Sequence, residues 1–193
     1  MSKNTIKFYS AGALLLLALI SLSSCNSTSV EAYQNNTPKL ELESFFNGQL
    51  TAHGIIKNRS DRVIRYFNAD IKASWRDDIG TLEEHFVFNH GERSTRIWTL
   101  TPQDDGDFIG TAADVVGNGQ LKVAGNSLFL DYILQVPYKD NTIKLRIDDR
   151  MYLTNEKTLI NESIMYKFGL KVGAITLVIL KQPNNSVSQN NQH

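Results

Sequence analysis

Arg62-Val63-Ile64-Arg65-Tyr66-Phe67-Asn68-Ala69-Asp70-Ile71-Lys72-Ala73-Ser74-Trp75 alternates almost throughout. Val63, Phe67, Ala69, Ile71, Ala73 and Trp75 share one parity, and Asn68, Asp70, Lys72 and Ser74 share the other. Successive side chains of a strand point to opposite faces, so this spacing predicts one long, half-buried strand. The same period recurs at Leu82, Phe86 and Phe88, at Trp98 and Leu100, at Leu128, Leu130, Tyr132, Leu134 and Val136, and at Ile143, Leu145, Ile147, Met151 and Leu153. Helical spacing is sustained over no comparable length. Turn-forming residues separate the runs at 58–61, 77–80, 89–92, 104–107, 117–119, 125–127, 139–142 and 154–157. With the stretches 49–57, 108–116, 158–166 and 171–180, the chain reads as roughly ten strands in hairpin sequence.

Short connections force neighbouring strands to run antiparallel. An open sheet of this size leaves two unpaired edges, and closing it removes them. The expected fold is therefore all-β, an antiparallel up-and-down barrel of about eight to ten strands. A two-sheet β-sandwich satisfies the same pattern and is the alternative. An outer-membrane barrel is disfavoured, because charges line the polar parity of the strands and the N-terminus carries an anchoring signal of its own.

Four charges fall on the apolar parity: Arg65 among Val63, Phe67 and Ala69, Glu84 between Leu82 and Phe86, Arg96 beside Trp98, and Asp149 between Ile147 and Met151. Each is expected to point into the barrel, where a charge is costly unless paired or solvated. Two cations and two anions can offset one another, which makes an interior ion-pair network the structural reading. The functional reading is a ligand pocket in which Arg65 and Arg96 hold an anionic head group, Asp149 completes the polar set, and Phe67, Trp75, Trp98 and Tyr132 line an apolar chamber. His53, in Ala52-His53-Gly54, joins that set because Gly54 permits close backbone approach; a hydrogen-bonded structural histidine is the competing explanation.

Other chemistry is missing. The histidines at 53, 85, 90 and 193 include no pair at metal-ligand spacing, so neither a metal nor a cofactor is expected. Asp104-Asp105-Gly106-Asp107 lacks the alternating oxygens and distal glutamate of a calcium loop and reads as a hairpin turn. No Gly-x-Ser-x-Gly elbow is present, and no catalytic residue is assigned.

The N-terminus addresses the chain. Lys3 and Lys7 precede an apolar run from Ala11 to Ile20, and Leu22-Ser23-Ser24-Cys25 follows it, ending on the chain's single cysteine. That pattern reads as a secretory signal over 1–24 with a lipoprotein cleavage site, its apolar run too short to span a bilayer. Cys25 is expected to be acylated and to become the first residue of the mature chain, since two or more acyl chains anchor stably. Asn26 behind it favours the outer membrane, with the body facing the periplasm of a bacterial envelope. The polar stretch 25–39 reads as a tether, 40–181 as the barrel domain, and 182–193 as a frayed tail. Cleavage removes Lys3 and Lys7 and no acid, so 20 basic side chains become 18 against 20 acidic, near −2. With no dense basic run, nucleic acid is not an expected partner.

Several segments resemble one family: Phe45-Phe46-Asn47-Gly48-Gln49-Leu50-Thr51-Ala52-His53-Gly54, Asp105-Gly106-Asp107-Phe108-Ile109-Gly110-Thr111-Ala112, Met151-Tyr152-Leu153 and Met165-Tyr166-Lys167-Phe168-Gly169. They look like a proteobacterial lipoprotein family, domain of unknown function thirty-eight thirty-three, over about Val30 to Lys181. The resemblance implies a lipocalin-like barrel, no established catalytic residues, and, through gene neighbours that modify lipids, a connection to lipid. The chain departs from it at Arg150, where a tryptophan is expected before Met151-Tyr152. If that aromatic lines the site, a family-wide ligand does not transfer to this chain.

Three functions fit. The favoured one is a membrane-anchored lipoprotein that takes a fatty acid or other amphiphile into its barrel. A docking or assembly factor with a side-chain-filled barrel, its protein partner undefined, is the second. An enzyme acting on a lipid or small hydrophobic molecule is the third, and the fold alone licenses no reaction.

Overall fold

The computed structural model describes residues 28–183. Cys25, the expected signal over 1–24 and the tail beyond 183 lie outside the described residues. Ten strands follow in order: β1 (Gly48–Asn58), β2 (Val63–Arg76), β3 (Ile79–Phe88), β4 (Arg93–Pro102), β5 (Phe108–Thr111), β6 (Gly119–Ala124), β7 (Ser127–Tyr138), β8 (Asn141–Asn155), β9 (Thr158–Lys167) and β10 (Leu170–Lys181). Each pairs antiparallel with its sequence neighbours, and β10 returns to β1 to close the barrel. The closed all-β barrel is the expected architecture, and the single closed sheet excludes the sandwich.

Burial follows parity. On β2, Phe67, Ala69, Ile71 and Ala73 are buried while Asn68, Asp70, Lys72 and Ser74 are exposed. The inward residues of the other strands, among them Leu50, Leu128, Ile147 and Leu159, complete one contiguous core. Several turns need left-handed backbone: Asp77 and Asp78 lie at φ 49° and 62°, and Phe168 and Gly169 at 51° and 77°. Two consecutive positive φ values match the right-handed twist of the flanking strands.

The barrel's two ends differ. At one end, the floor, the chain plugs the opening with the segment that precedes β1. A short helix, α1 (Leu42–Phe45), buries Leu42 and Phe45, with Leu40 and Phe46 beside it in the core. Trp75 Nε1 donates to the Phe46 carbonyl at 2.7 Å, and Lys181 Nζ donates to the Ser44 carbonyl. Ahead of α1, a 3-10 turn (Val30–Tyr33) lies against β6 and β7, with Tyr33 wedged between Phe129 and Tyr152 at centroid distances of 5.7 and 5.4 Å. Gly125 admits this segment: at φ 55°, a side chain there would collide with the Tyr33 carbonyl. Residues 30–39, expected as tether, are thus part of the domain.

The other end, the mouth, is formed by the turns 59–62, 89–92, 112–118, 139–140 and 168–169. Its wall is uneven. β5 pairs with β4 only from Thr99 to Pro102. The expected strand over 108–116 stops at Thr111, because the loop that follows crosses to β7: Val116 donates its N–H to the Ile133 carbonyl, and Gln135 donates to that of Asp114. A further strand, β6, was not expected between the turns at 117–119 and 125–127. Residues 93–98 of β4 therefore face the 112–118 loop with no strand partner on that side.

Candidate functional site

Between the plugged floor and the mouth lies a cavity of about 290 Å³. Its wall is mostly apolar, with Phe67, Phe86, Trp98, Leu134, Met165 and Leu177 among the lining side chains. Phe67 sits against Phe86 and Phe88 at 5.6 and 5.7 Å, and Trp98 meets Tyr132 at right angles, 5.3 Å apart. Gly54 makes this arrangement possible, since a β-carbon there would overlap the Phe67 ring.

All four charges on the inward parity reach the cavity: Arg65, Glu84, Arg96 and Asp149. They do not pair with one another. Arg65 Nη2 bonds Glu92 Oε2 at 2.8 Å, and its guanidinium lies 3.8 Å from the centre of the Phe88 ring. Arg96 grips Asp114 through two nitrogens, Nη2 to Oδ2 at 2.7 Å and Nε to Oδ1 and Oδ2 at 3.1 and 3.0 Å. The expected interior network of two cations with two anions is thus replaced: each arginine is neutralised by an acid from a mouth turn. Fork-to-fork pairing of guanidinium with carboxylate explains the choice at Arg96, because Asp114 on its loop can present both oxygens edge-on.

The two interior acids are left to other partners. Asp149 is buried and accepts hydrogen bonds from Asn161 Nδ2 and from Ser163 Oγ, the latter at 2.8 Å. Burial pushes its carboxyl up to about 6 in spite of those two bonds. Glu84 is held less well. Its Oε2 is sealed from solvent with no hydrogen-bond partner among the described residues. Burial pushes its carboxyl up to about 7; the nearby Arg96 charge opposes this, while Asp149 and Asp114 add to it. Burial also raises the Tyr132 hydroxyl. For Arg96, burial disfavours the charge, and the Asp114 hydrogen bond outweighs it, so its pKa lies above the ordinary value.

Phe67, Trp98 and Tyr132 thus line the cavity together with Arg65, Arg96 and Asp149, whereas Trp75 and His53 do not. Trp75 lies at the floor, packed on Phe108 and bonded to Phe46, because its place near the end of β2 sets it below the chamber. His53 occupies the outward parity of β1, where Nδ1 meets Asn68 Oδ1 at 2.6 Å on an exposed surface. Arg150 also points outward, over the Phe129 ring at 4.8 Å and against Asp148, so the position at which the chain departs from the family resemblance is not in the cavity wall. Sequence reasoning missed Asp114, Glu92, Asn161 and Ser163. The last two share the inward parity of β9 with Leu159, a polar interruption facing Asp149 that was readable in principle.

The geometry defines a closed, lipocalin-like barrel with a lined internal chamber. The family described as protein of unknown function DUF3833 matches residues 19–181, and the chain belongs to it. No curated protein matches the sequence. Among solved structures, the S-type phycobiliprotein lyase CPES of Guillardia theta is similar in fold, at 12% identity and a TM-score of 0.48, covering 81% of this chain and 98% of that one.

Proposed function

We propose that this protein is a membrane-anchored lipoprotein of the bacterial envelope that binds a small amphiphile inside its barrel. The chamber carries the reading: about 290 Å³ of space, an apolar wall, and a few polar groups converging from β3, β4, β8 and β9. Ligand sites in small barrels are built this way, whereas a purely structural barrel fills its interior with side chains. The anchor rests on the Leu22-Ser23-Ser24-Cys25 sequence. The direct test is native mass spectrometry of gently purified protein followed by solvent extraction; a stoichiometric adduct supports binding, and bare protein under every mild condition counts against it. Anchoring has its own test. Cys25→Ala should leave an unprocessed precursor without acyl mass, and a wild-type chain that lacks acyl mass ends that part of the reading.

A further inference from the structure

The charges around the chamber do not suit the acidic head group expected from its arginines. Arg96 is paired with Asp114 through both Nε and Nη2, whereas Arg65 is paired with Glu92 through Nη2 alone and its buried Nε has no partner among the described residues. A carboxylate entering the chamber would find one unused donor, Arg65 Nε, and would share the space with Glu84 and Asp149, neither of which has an arginine partner. With Glu92 and Asp114 engaging the two guanidiniums from the mouth, Glu84 and Asp149 are the carboxyl groups of the lining left without a salt-bridge partner. Such a site repels an anion and attracts a cation or a donor of hydrogen bonds.

Glu84 gives the attraction a direction. Its Oε2 is a strong acceptor, enclosed and unused, on the wall of an otherwise apolar space. A buried acceptor left unmade is destabilising, and a ligand that supplies a donor relieves it. Asp149 stands in the same wall, but Asn161 and Ser163 already occupy one of its oxygens.

We infer that the chamber takes an amphiphile whose head donates hydrogen bonds or is positively charged, a primary amine above all, with Glu84 Oε2 as its acceptor and Asp149 as the second carboxylate. This rests on the ligand-binding reading and selects the ligand's head group within it. The aromatic wall is compatible with the same choice: Phe86, Trp98 and Tyr132 line the space, and the Phe86 and Trp98 rings already lie within about 6 Å of the Arg96 guanidinium.

Isothermal titration of the purified protein with octylamine, octanol and octanoate, matched in tail and differing in head, tests the assignment at about pH 8. Octylamine should bind tighter than octanoate by about ten- to a hundredfold, the worth of one charge-assisted hydrogen bond. Glu84→Gln, which preserves shape, should erase the preference by weakening octylamine alone. In wild type, octylamine affinity should also fall between about pH 8 and pH 5 as Glu84 takes a proton, with Arg65, Arg96, Asp114, Tyr132 and Asp149 the charged and titratable groups facing it. That measurement needs no variant to fold. Octanoate binding as tightly as octylamine, or a preference that survives Glu84→Gln, overturns the head-group assignment and leaves the chamber a binding site. Absence of saturable binding by all three probes overturns both.

Discussion

Glu84 and Arg96 stand directly opposite each other across the β3–β4 ladder, yet the guanidinium turns away from Glu84 to Asp114 on the 112–118 loop. The cross-strand partner is the nearer choice by topology, and the loop acid takes the arginine by presenting two oxygens. Asp114 thereby holds the loop to a β4 segment that has no strand partner there, and it leaves Glu84 without a counter-ion. Asp114→Asn should release Arg96 toward Glu84. The Glu84 carboxyl should then titrate clearly below about 7, which carbon-13 NMR of the side-chain carboxyl can follow; an unchanged titration would mean that Arg96 has only one stable seat.

Stability should depend on pH through the same residue. The folded Glu84 carboxyl is raised to about 7 from an ordinary 4.5. The protonated form is thus favoured by folding, so this contribution is complete below about pH 4.5 and is lost as pH rises through about 7. A shift of that size corresponds to on the order of 3 kcal/mol. Glu84→Gln never ionises, and it should therefore gain thermal stability over wild type as pH rises from about 5 to about 8. Parallel melting-temperature profiles for the two proteins would refute this.

The two tryptophans report different places. Trp98 lines the chamber, while Trp75 lies at the floor with its indole N–H on Phe46. A chamber ligand should change the emission of Trp98 and leave that of Trp75 largely alone. Trp98→Phe should abolish the response to octylamine, and Trp75→Phe should retain it while losing about 0.5–1.5 kcal/mol from the missing hydrogen bond. A response that follows Trp75 instead would place the ligand near the plug.

Phe168 is 93% exposed at φ 51°, a conformation that costs a bulky side chain about 1–2 kcal/mol. Asparagine tolerates that backbone and precedes Gly169 as the preferred first residue of such a hairpin turn. Phe168→Asn should raise stability by about 1 kcal/mol as read by chemical denaturation. No gain, or a loss, would show that the ring contributes contacts worth more than the strain.

Much of this fold was legible because parity is local. The alternation from Val63 to Trp75 survives intact as β2, and four charges out of step with their neighbours all point into the chamber. What could not be read were partners chosen by loops. Nothing in the sequence around Asp114 or Glu92 marks them as the acids that neutralise Arg96 and Arg65, because their positions depend on how far a turn reaches across the mouth. The interruption after Thr111 was hidden for a related reason: residues 112–116 keep a strand-like composition while pairing with β7 instead of β4. Trp75 and His53 show the limits of parity itself. Parity gives the side of the sheet and not the height along the barrel, so inward Trp75 fell below the chamber, and His53 lay one residue out of step with inward Ala52 and Gly54.

The plug also gives the molecule a direction. Among the described residues, Val30–Tyr33 and α1 enter the barrel at its floor, so the mouth lies on the side opposite that entry. Were the chain held by lipid at Cys25, as proposed, the mouth would face away from the bilayer that holds it. Such a protein is poorly placed to lift a molecule out of its own leaflet and well placed to intercept one already travelling through the aqueous space beyond.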